Sequence, residues 1–471
     1  MSEPRCDIGL IGFGVMGRNL VLNMADHGFS VAGYNRHPDK VTLLEQEAGD
    51  RKVIGVRSVD ALVHALGKPR PIMMMVPAGN AVDEVINELL EYLEPGDLIV
   101  DGGNSHYKDT DLRGNTLAEK GIHFLGVGIS GGEKGARFGP SMMPGGPRVA
   151  YEHVRRIFEA IAAHVEGRPC VTYLGPGSSG HYVKTVHNGI EYGLMQLISE
   201  TYDLMKRALG LSNQELAEIY RKWNRGELQS FLVEITADIF DRIDEKTGGS
   251  LIDKILDRAR QKGTGKWTSQ DAMDLQVPVP TIDMAVMMRD LSAYKAERLA
   301  ASKELSGPVP RYSGDAHTFV TALGNAFYAA MFMTYAQGMA LLKAASQAYH
   351  YDLQLDEVAR IWRGGCIIRA RLLEEIRSAF QRWPDLANLM LDPVISERVV
   401  QRQDDLRRVV QTAVEAGIPL PGFMASLAYF DGLRSSWLPA NLIQAQRDYF
   451  GSHSYERIDE EGIFHTEWEE P

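Results

Sequence analysis

Along the first third of the chain, short β-branched or apolar runs alternate with stretches whose apolar residues recur every three or four positions. Strands are expected at 7–11, 29–34, 72–76, 98–101 and 123–127, each followed by a helical pattern. That alternation predicts a doubly wound α/β sheet of the Rossmann type. Glycines crowd residues 121–146, where Gly131-Gly132 and Gly145-Gly146 mark loops. From about Gly177 the pattern is helical throughout, and it repeats. Leu216-Ala-Glu-Ile-Tyr-Arg-Lys-Trp223 resembles Leu355-Asp-Glu-Val-Ala-Arg-Ile-Trp362, and Tyr192-Gly-Leu-Met195 can be laid on Tyr328-Ala-Ala-Met331. A duplicated all-helical domain is therefore expected. The most apolar stretch, 326–342, is too short to span a bilayer and contains Gln337 and Gly338, so it reads as a buried helix. The expected organisation is a nucleotide domain at 1–177, a large all-α domain at 178–434 and a short C-terminal tail at 435–471. The tail holds too many aromatic residues to remain free, and docking is expected of it.

Composition narrows the function classes. The chain has 471 residues, 44% of them hydrophobic, and a formal net charge of −12. An acidic surface argues against a nucleic-acid or anionic-membrane partner, while anionic small molecules stay possible where basic groups are concentrated. Cys6, Cys170 and Cys366 are odd in number and lack CxxC or metal spacing. They point to a reducing compartment and no metal site. With no apolar signal core in Met1-Ser2-Glu3-Pro4-Arg5, a cytoplasmic protein is expected.

Two segments carry chemistry. Gly12-Phe13-Gly14-Val15-Met16-Gly17 follows a strand and opens a helix that Gly28 stops. Such glycines give a tight turn and a close approach to a pyrophosphate, which the helix N-terminus stabilises. The second strand ends in Asn35-Arg36-His37, where an NAD-binding chain would place Asp or Glu. A guanidinium there favours a 2′-phosphate, hence NADP. Asp101-Gly-Gly-Asn104-Ser105 and Ser130-Gly131-Gly132 sit at strand carboxyl ends and could hold a nicotinamide ribose or a substrate carboxylate. In the second segment, Lys184, His187, Asn188 and Glu191 fall at i, i+3, i+4 and i+7 on one helix face, opposite Val183, Val186, Ile190 and Leu194. Lys184 and Glu191 lie roughly 10 Å apart along the axis, close enough to serve different carbons of one small substrate.

With these residues in place, the chain resembles the decarboxylating 6-phosphogluconate dehydrogenase family over nearly its whole length. The matching motifs are Asp101-Gly-Gly-Asn-Ser105, Ile129-Ser-Gly-Gly132, Lys184-Thr-Val-His-Asn-Gly-Ile-Glu191, Gln261-Lys-Gly-Thr-Gly-Lys-Trp267 and Ile443-Gln-Ala-Gln-Arg-Asp-Tyr-Phe-Gly451. The resemblance implies oxidation of 6-phospho-D-gluconate at C3 by NADP⁺, loss of CO₂ and tautomerisation to D-ribulose 5-phosphate. It implies Lys184 as base and then acid at the C3 oxygen, and Glu191 as the acid protonating C1 once CO₂ has left. It places the substrate on Asn104, Ser130, Gly131, Gly132, His187 and Asn188. The phosphate falls to Tyr192, Lys262, Arg289 and Arg447, with His453 nearby. The cofactor set is Gly12 to Gly17, Asn35, Arg36, His37, Val76, Pro77, Ala78 and Asn104. The resemblance also implies a homodimer in which each tail reaches into the partner. Gly14, His37 and Pro77 depart from the Ala, Thr and Lys usual in the family.

At a reference pKa near 10.4, a lysine is neutral in only about 1 molecule in 2,500 at pH 7. Burial and the positive nicotinamide ring are expected to lower that of Lys184. Two alternatives share parts of this pattern: a shorter NADP-dependent β-hydroxyacid dehydrogenase or imine reductase, and a non-catalytic NADP-binding scaffold. The duplicated helical half and the phosphate set oppose the first. The Lys184/Glu191 pair opposes the second.

Overall fold

The structure, a computed structural model, describes residues 5–468. Residues 1–4, most of the polar N-terminal stretch noted above, and 469–471 lie outside the described residues. The N-terminal half is a seven-stranded sheet formed by β1 (Ile8–Ile11), β2 (Val31–Tyr34), β3 (Val53–Val56), β4 (Pro71–Met74), β5 (Leu98–Asp101), β6 (His123–Ser130) and β7 (Ser141–Gly145). Its order is β3-β2-β1-β4-β5-β6-β7, parallel except for β7, which runs against β6. The first six strands give the dinucleotide-binding order, with ligands expected beyond their carboxyl ends. Strands β1, β4 and β5 are buried at every position, as two-sided coverage by helices requires.

Those helices are α1 (Val15–Asp26), α2 (Pro38–Ala48), α3 (Val59–His64), α4 (Asn80–Leu90), α5 (Tyr107–Ala118), α6 (Gly132–Phe138) and α7 (Arg148–Ile161). A small hairpin, β8 (His164–Val165) with β9 (Arg168–Pro169), follows. The strands differ from the sequence expectation in detail. Asp7, Phe29 and Ser30 precede the ladders, and Met75 and Val76 leave the sheet as a loop. Strand β6 extends to Ser130, Gly132 opens α6, and Gly145 closes β7 rather than lying in a loop.

The second half is helical: α8 (Ser179–Arg207), α9 (Asn213–Trp223), α10 (Phe231–Asp241), α11 (Thr264–Asp274), α12 (Pro280–Ala293), α13 (Lys295–Glu304), α14 (Ala316–Ala348), α15 (Leu355–Ile361), α16 (Leu372–Arg382), α17 (Pro393–Val400), α18 (Gln403–Glu415), α19 (Pro421–Leu433) and α20 (Ala440–Gly451). The order α8–α9–α10 recurs as α14–α15–α16. Helices α12 and α19 both start on a Pro-x-Pro turn, Pro278-Val-Pro280 and Pro419-Leu-Pro421. The long helices α8 and α14 pack together at the centre of one large core, with Val183, Val186, Ile190, Phe327, Met331 and Leu342 all buried. Gly338 makes this approach possible, because any Cβ there would strike Ile190.

The two copies also interlock through polar groups. Glu200, on α8, accepts hydrogen bonds from the amides of Gly422 (2.7 Å) and Phe423 (3.0 Å) at the start of α19. Gln337, on α14, accepts from the amide of Thr281 (3.0 Å) at the start of α12. Each long helix thus satisfies donors that the other copy's helix cannot satisfy for itself. Gln337, the polar residue that argued against a membrane span, is fully buried and holds this cap. Among the described residues, no helix is long and apolar enough to cross a membrane.

Candidate active site at the sheet edge and the first long helix

Helix α8 begins by crossing β6 and β7. Gly126, Gly128 and Gly145 on those strands carry no side chain where the helix lies, and a Cβ on Gly128 would collide with the Cβ of Lys184. The stem of Lys184 is therefore laid on the sheet edge, beyond which the strands present their carboxyl ends. Its ammonium donates to Asn188 Oδ1 (2.7 Å) and lies 3.4 Å from His187 Nδ1. His187 Nε2 meets Ser130 Oγ at 3.2 Å, and Ser130 Oγ also accepts from the amide of Ile367 at 3.3 Å. Because Asn188 Oδ1 can only accept, the arrangement fits His187 protonated on Nδ1 and receiving the Ser130 proton on Nε2. The Nδ2 group of Asn188 donates to Thr264 Oγ1 (3.1 Å), tying α8 to α11.

Lys184, His187, Asn188 and Glu191 form one polar stripe facing Ser130, as their spacing requires, while the apolar face of α8 lies in the core. Burial drives the three titratable groups of this stripe away from their usual values. It lowers Lys184, against the opposing fields of Glu191 and Cys366. It raises Glu191, against Lys184 and Arg289. His187 is driven well below its ordinary range, first by burial and then by Lys184, so it serves as a neutral hydrogen-bonding group. A lysine lowered and a carboxylic acid raised on one helix face are shifted in the directions that base and acid work require.

The neighbouring walls come from three loops. Asn104 holds a left-handed conformation, φ 57°, uncommon for a residue other than glycine, and its Oδ1 accepts from the amide of Ile129 (3.2 Å). Below it, fully buried Asp101 accepts from Ser105 Oγ (2.6 Å) and the Gly103 amide (2.8 Å), fixing the loop. Gly131, at φ 121°, packs directly on the carbonyl of Gly365. The Arg289 guanidinium sits 3.4 Å from the ring centroid of Tyr192, next to Glu191. Lys262, exposed, stands two residues ahead of α11.

The residues expected to hold the cofactor line the ends of β1, β2, β4 and β5. Gly12 has φ 99°, and a Cβ on Gly17 would strike the Gly12 carbonyl, so both glycines are dictated by the turn. The first turn of α1 contains no acidic residue and its Gly14 N-cap adds no side chain, leaving amides available to an anion. Asn35 is buried and accepts from the amide of Phe13 (3.2 Å), while Arg36 and His37 are exposed beside it. Pro77 and Ala78 are exposed on the loop after β4. These features fit a dinucleotide carrying a 2′-phosphate.

Arg447 and His453 stand apart. Arg447, on α20, donates to Gln444 (3.0 Å), and His453 lies against Phe450. Asp448 gathers the amides of Ser454 and Thr466 together with the side chains of His465 and Trp468, so this segment folds upon itself. No hydrogen bond or ion pair of Arg447 or His453 among the described residues reaches α8, α11 or α12. The site also contains residues that sequence reasoning passed over: Thr264, Ile367, Cys366 and Trp362, whose ring meets His187 edge-on at 5.5 Å.

Comparison with known proteins agrees with this geometry. Residues 7–175 match the NAD binding domain of 6-phosphogluconate dehydrogenase, and residues 180–468 match the 6-phosphogluconate dehydrogenase C-terminal domain. The chain belongs to the 6-phosphogluconate dehydrogenase family. It is 54% identical, over 98% of both chains, to the NADP(+)-dependent, decarboxylating 6-phosphogluconate dehydrogenase of Bacillus subtilis. It is 50% identical to the decarboxylating 6-phosphogluconate dehydrogenase of Lactococcus lactis, covering 98% of this chain and 99% of that one. The 6-phosphogluconate dehydrogenase of Plasmodium falciparum, whose structures include complexes with NADP+ and with 6-phosphogluconate, superposes with a TM-score of 0.96. It is 46% identical and is covered completely, with 98% of this chain. The match through 180–468 sets aside the shorter dehydrogenase alternative, and the family's enzymes set aside the scaffold.

Proposed function

We propose that this chain converts 6-phospho-D-gluconate and NADP⁺ to D-ribulose 5-phosphate, CO₂ and NADPH. The observation that carries the reading is the Lys184/Glu191 pair on one face of α8, shifted by burial in opposite directions, within a chain whose relatives bear that activity over their full length.

Gly12 to Gly17 would hold the pyrophosphate of NADP⁺, with Arg36 and His37 at its 2′-phosphate, and the bound cofactor would supply the hydride acceptor. Neutral Lys184 takes the proton of the C3 hydroxyl as the hydride leaves C3. The resulting lysine ammonium then hydrogen-bonds the C3 carbonyl oxygen, stabilising the charge that gathers there as CO₂ departs. Lys184 returns its proton to that oxygen to give the enediol. Glu191, its pKa raised by burial, delivers a proton to the carbon that becomes C1 of the product while Lys184, neutral again, takes the proton of the enediol hydroxyl to leave the C2 ketone; transfer of that proton from Lys184 to Glu191 resets the pair. Asn104, Ser130, Gly131, Gly132, His187 and Asn188 orient the sugar acid, and Tyr192, Lys262 and Arg289 receive the phosphate. The units proposed are 1–177 for the nucleotide, 178–434 for the substrate and 435–471 as a tail. Three buried, unpaired cysteines suit the cytosol.

Supplying 6-phosphogluconate with NADP⁺ and following NADPH and CO₂ together tests the reaction. One CO₂ per NADPH is expected, and NADPH without CO₂ would refute decarboxylation. Arg36→Ala should lower kcat/KM for NADP⁺ by about tenfold or more while sparing NAD⁺. A wild-type preference for NAD⁺ would overturn the role of Arg36. The tail's separation from α8 supports a homodimer in which Arg447 and His453 complete the partner's site. Mixing Lys184→Met chains with Arg447→Ala chains tests this. A crossing tail gives hybrids with one intact site and recovered activity, whereas a tail serving its own chain recovers none.

A further inference from the structure

Beneath the site, three tyrosine hydroxyls converge on one carboxylate. Asp271, on α11, is 3% exposed and accepts from Tyr182 (2.5 Å) on Oδ2, and from Tyr349 (2.7 Å) and Tyr107 on Oδ1. No lysine or arginine among the described residues pairs with it. A buried carboxylate without a counter-ion is costly, and here hydrogen bonds from three phenols offset that cost. Desolvation and the adjacent carboxylate raise Tyr107, Tyr182 and Tyr349, the last to about 12, so all three remain donors at neutral pH.

The four partners belong to four different segments, and three of these carry substrate groups. Tyr107 opens α5, three residues after Asn104. Tyr182 precedes Lys184 by two residues on α8. Asp271 lies two turns beyond Thr264 on α11, the helix headed by Lys262. Tyr349 ends α14. The rings also pack on one another, with Tyr107 and Tyr182 edge-on at 5.1 Å and Tyr349 5.7 Å from each. His106 stacks on Tyr107 and meets Trp267 of α11 edge-on, so a second aromatic contact joins the nucleotide domain to α11.

We infer that Asp271 is a positioning residue: its carboxylate and the three phenols fix the Asn104 loop, the Lys184 helix and the Lys262 segment at the separation that the sugar acid spans. This rests on the reading of the site given above. The cluster touches neither reactant. Its effect comes through geometry, and a displacement of about 1 Å at the reacting atoms costs on the order of a hundredfold in rate.

Asp271→Asn tests the role, since the amide keeps the shape but offers one acceptor oxygen to three hydroxyls. Steady-state kinetics with 6-phosphogluconate, with and without deuterium at C3, should show kcat/KM down by about ten- to a hundredfold and KM raised. The isotope effect on kcat should also be raised, while the dissociation constant for NADP⁺ stays within about twofold. A folded Asp271→Asn enzyme with wild-type KM and isotope effect would overturn the inference, because mere loss of folded protein lowers kcat alone. Should Asp271→Asn fail to fold, Tyr349→Phe and Tyr182→Phe remove one donor each, and a smaller split of the same kind is expected. Soluble Phe variants with unmoved KM and isotope effect would overturn it equally. Wild-type enzyme yielding no NADPH or CO₂ would instead refute the functional reading itself.

Discussion

Helices α8 and α14 occupy the same place in two copies of one arrangement, yet only α8 carries the stripe of titratable side chains. With Tyr192 laid on Tyr328, Lys184 falls on Val320, His187 on Leu323, Asn188 on Gly324 and Glu191 on Phe327. In α8 the stripe is polar, with Lys184 and His187 buried and Asn188 and Glu191 half-buried, and its first three groups are hydrogen-bonded to one another, to Ser130 and to Thr264. In α14 the same stripe is apolar, and Leu323 and Phe327 are fully buried in the helical core. The aromatic landmark survives in both, with Arg289 stacked on Tyr192 and Arg402 4.3 Å from the Tyr328 ring centroid. Beside α14 a cavity of about 550 Å³ remains, bordered by Val320, Gly324, Tyr328 and Trp223. A buried lysine and histidine are tolerated in α8, where Asn188 and, at the sheet edge, Ser130 supply partners, whereas α14 carries at those positions side chains that need none.

The largest expected effect is at Lys184. Lys184→Met should lower kcat by roughly 10²- to 10⁴-fold in NADPH production while leaving NADP⁺ binding intact, and full turnover would break the contrast between the helices. The paired position below it sharpens the same point. Leu323→Ala in α14 should cost about 2–5 kcal/mol in chemical denaturation with kcat preserved. His187→Ala in α8 should instead lower kcat/KM by about ten- to a hundredfold. Equal losses of stability and activity in both variants would deny the division of labour.

A smaller effect separates the two caps. Burial raises Glu200 to about 7, with the amides of Gly422 and Phe423 and the Gln196 side chain opposing it. A folded-state pKa above the unfolded value means that protonation favours the native form. The contribution is therefore complete below about pH 4.5 and lost as pH rises through about 7, a change of about 3 kcal/mol for this buried group. Glu200→Gln should flatten the fall in melting temperature between pH 5 and 8, and an unchanged slope would remove Glu200 as its source. Gln337→Glu should add a second such slope of similar sign.

Much of this arrangement was legible in sequence because it is local. The glycine turn after β1 and the i, i+3, i+4, i+7 stripe of α8 each lie within a few residues. Strand β3 escaped notice because Val53-Ile-Gly-Val56 is a short, half-exposed edge interrupted by glycine, and β7 because Pro144 and Gly145 read as turn. The Asp271 cluster was invisible for a different reason. Tyr107 and Asp271 are 164 residues apart, and Ser130 and Ile367 are 237, separations that no periodicity encodes. The helix that presents Arg447 was marked by its aromatic tail, while its folding onto Asp448 depends on residues up to Trp468 and shows no repeating pattern.

The exchanged caps carry a kinetic consequence. Glu200 meets Gly422 across 222 residues of chain, so the start of α19 gains this bond only after most of the helical half has been brought together. Contacts of such high order slow the search for the native state, and they also bind the two copies into one cooperative unit. Neither repeat is then able to open alone, and hydrogen exchange at the amides of Thr281, Gly422 and Phe423 should proceed at a single rate, set by opening of the whole helical half.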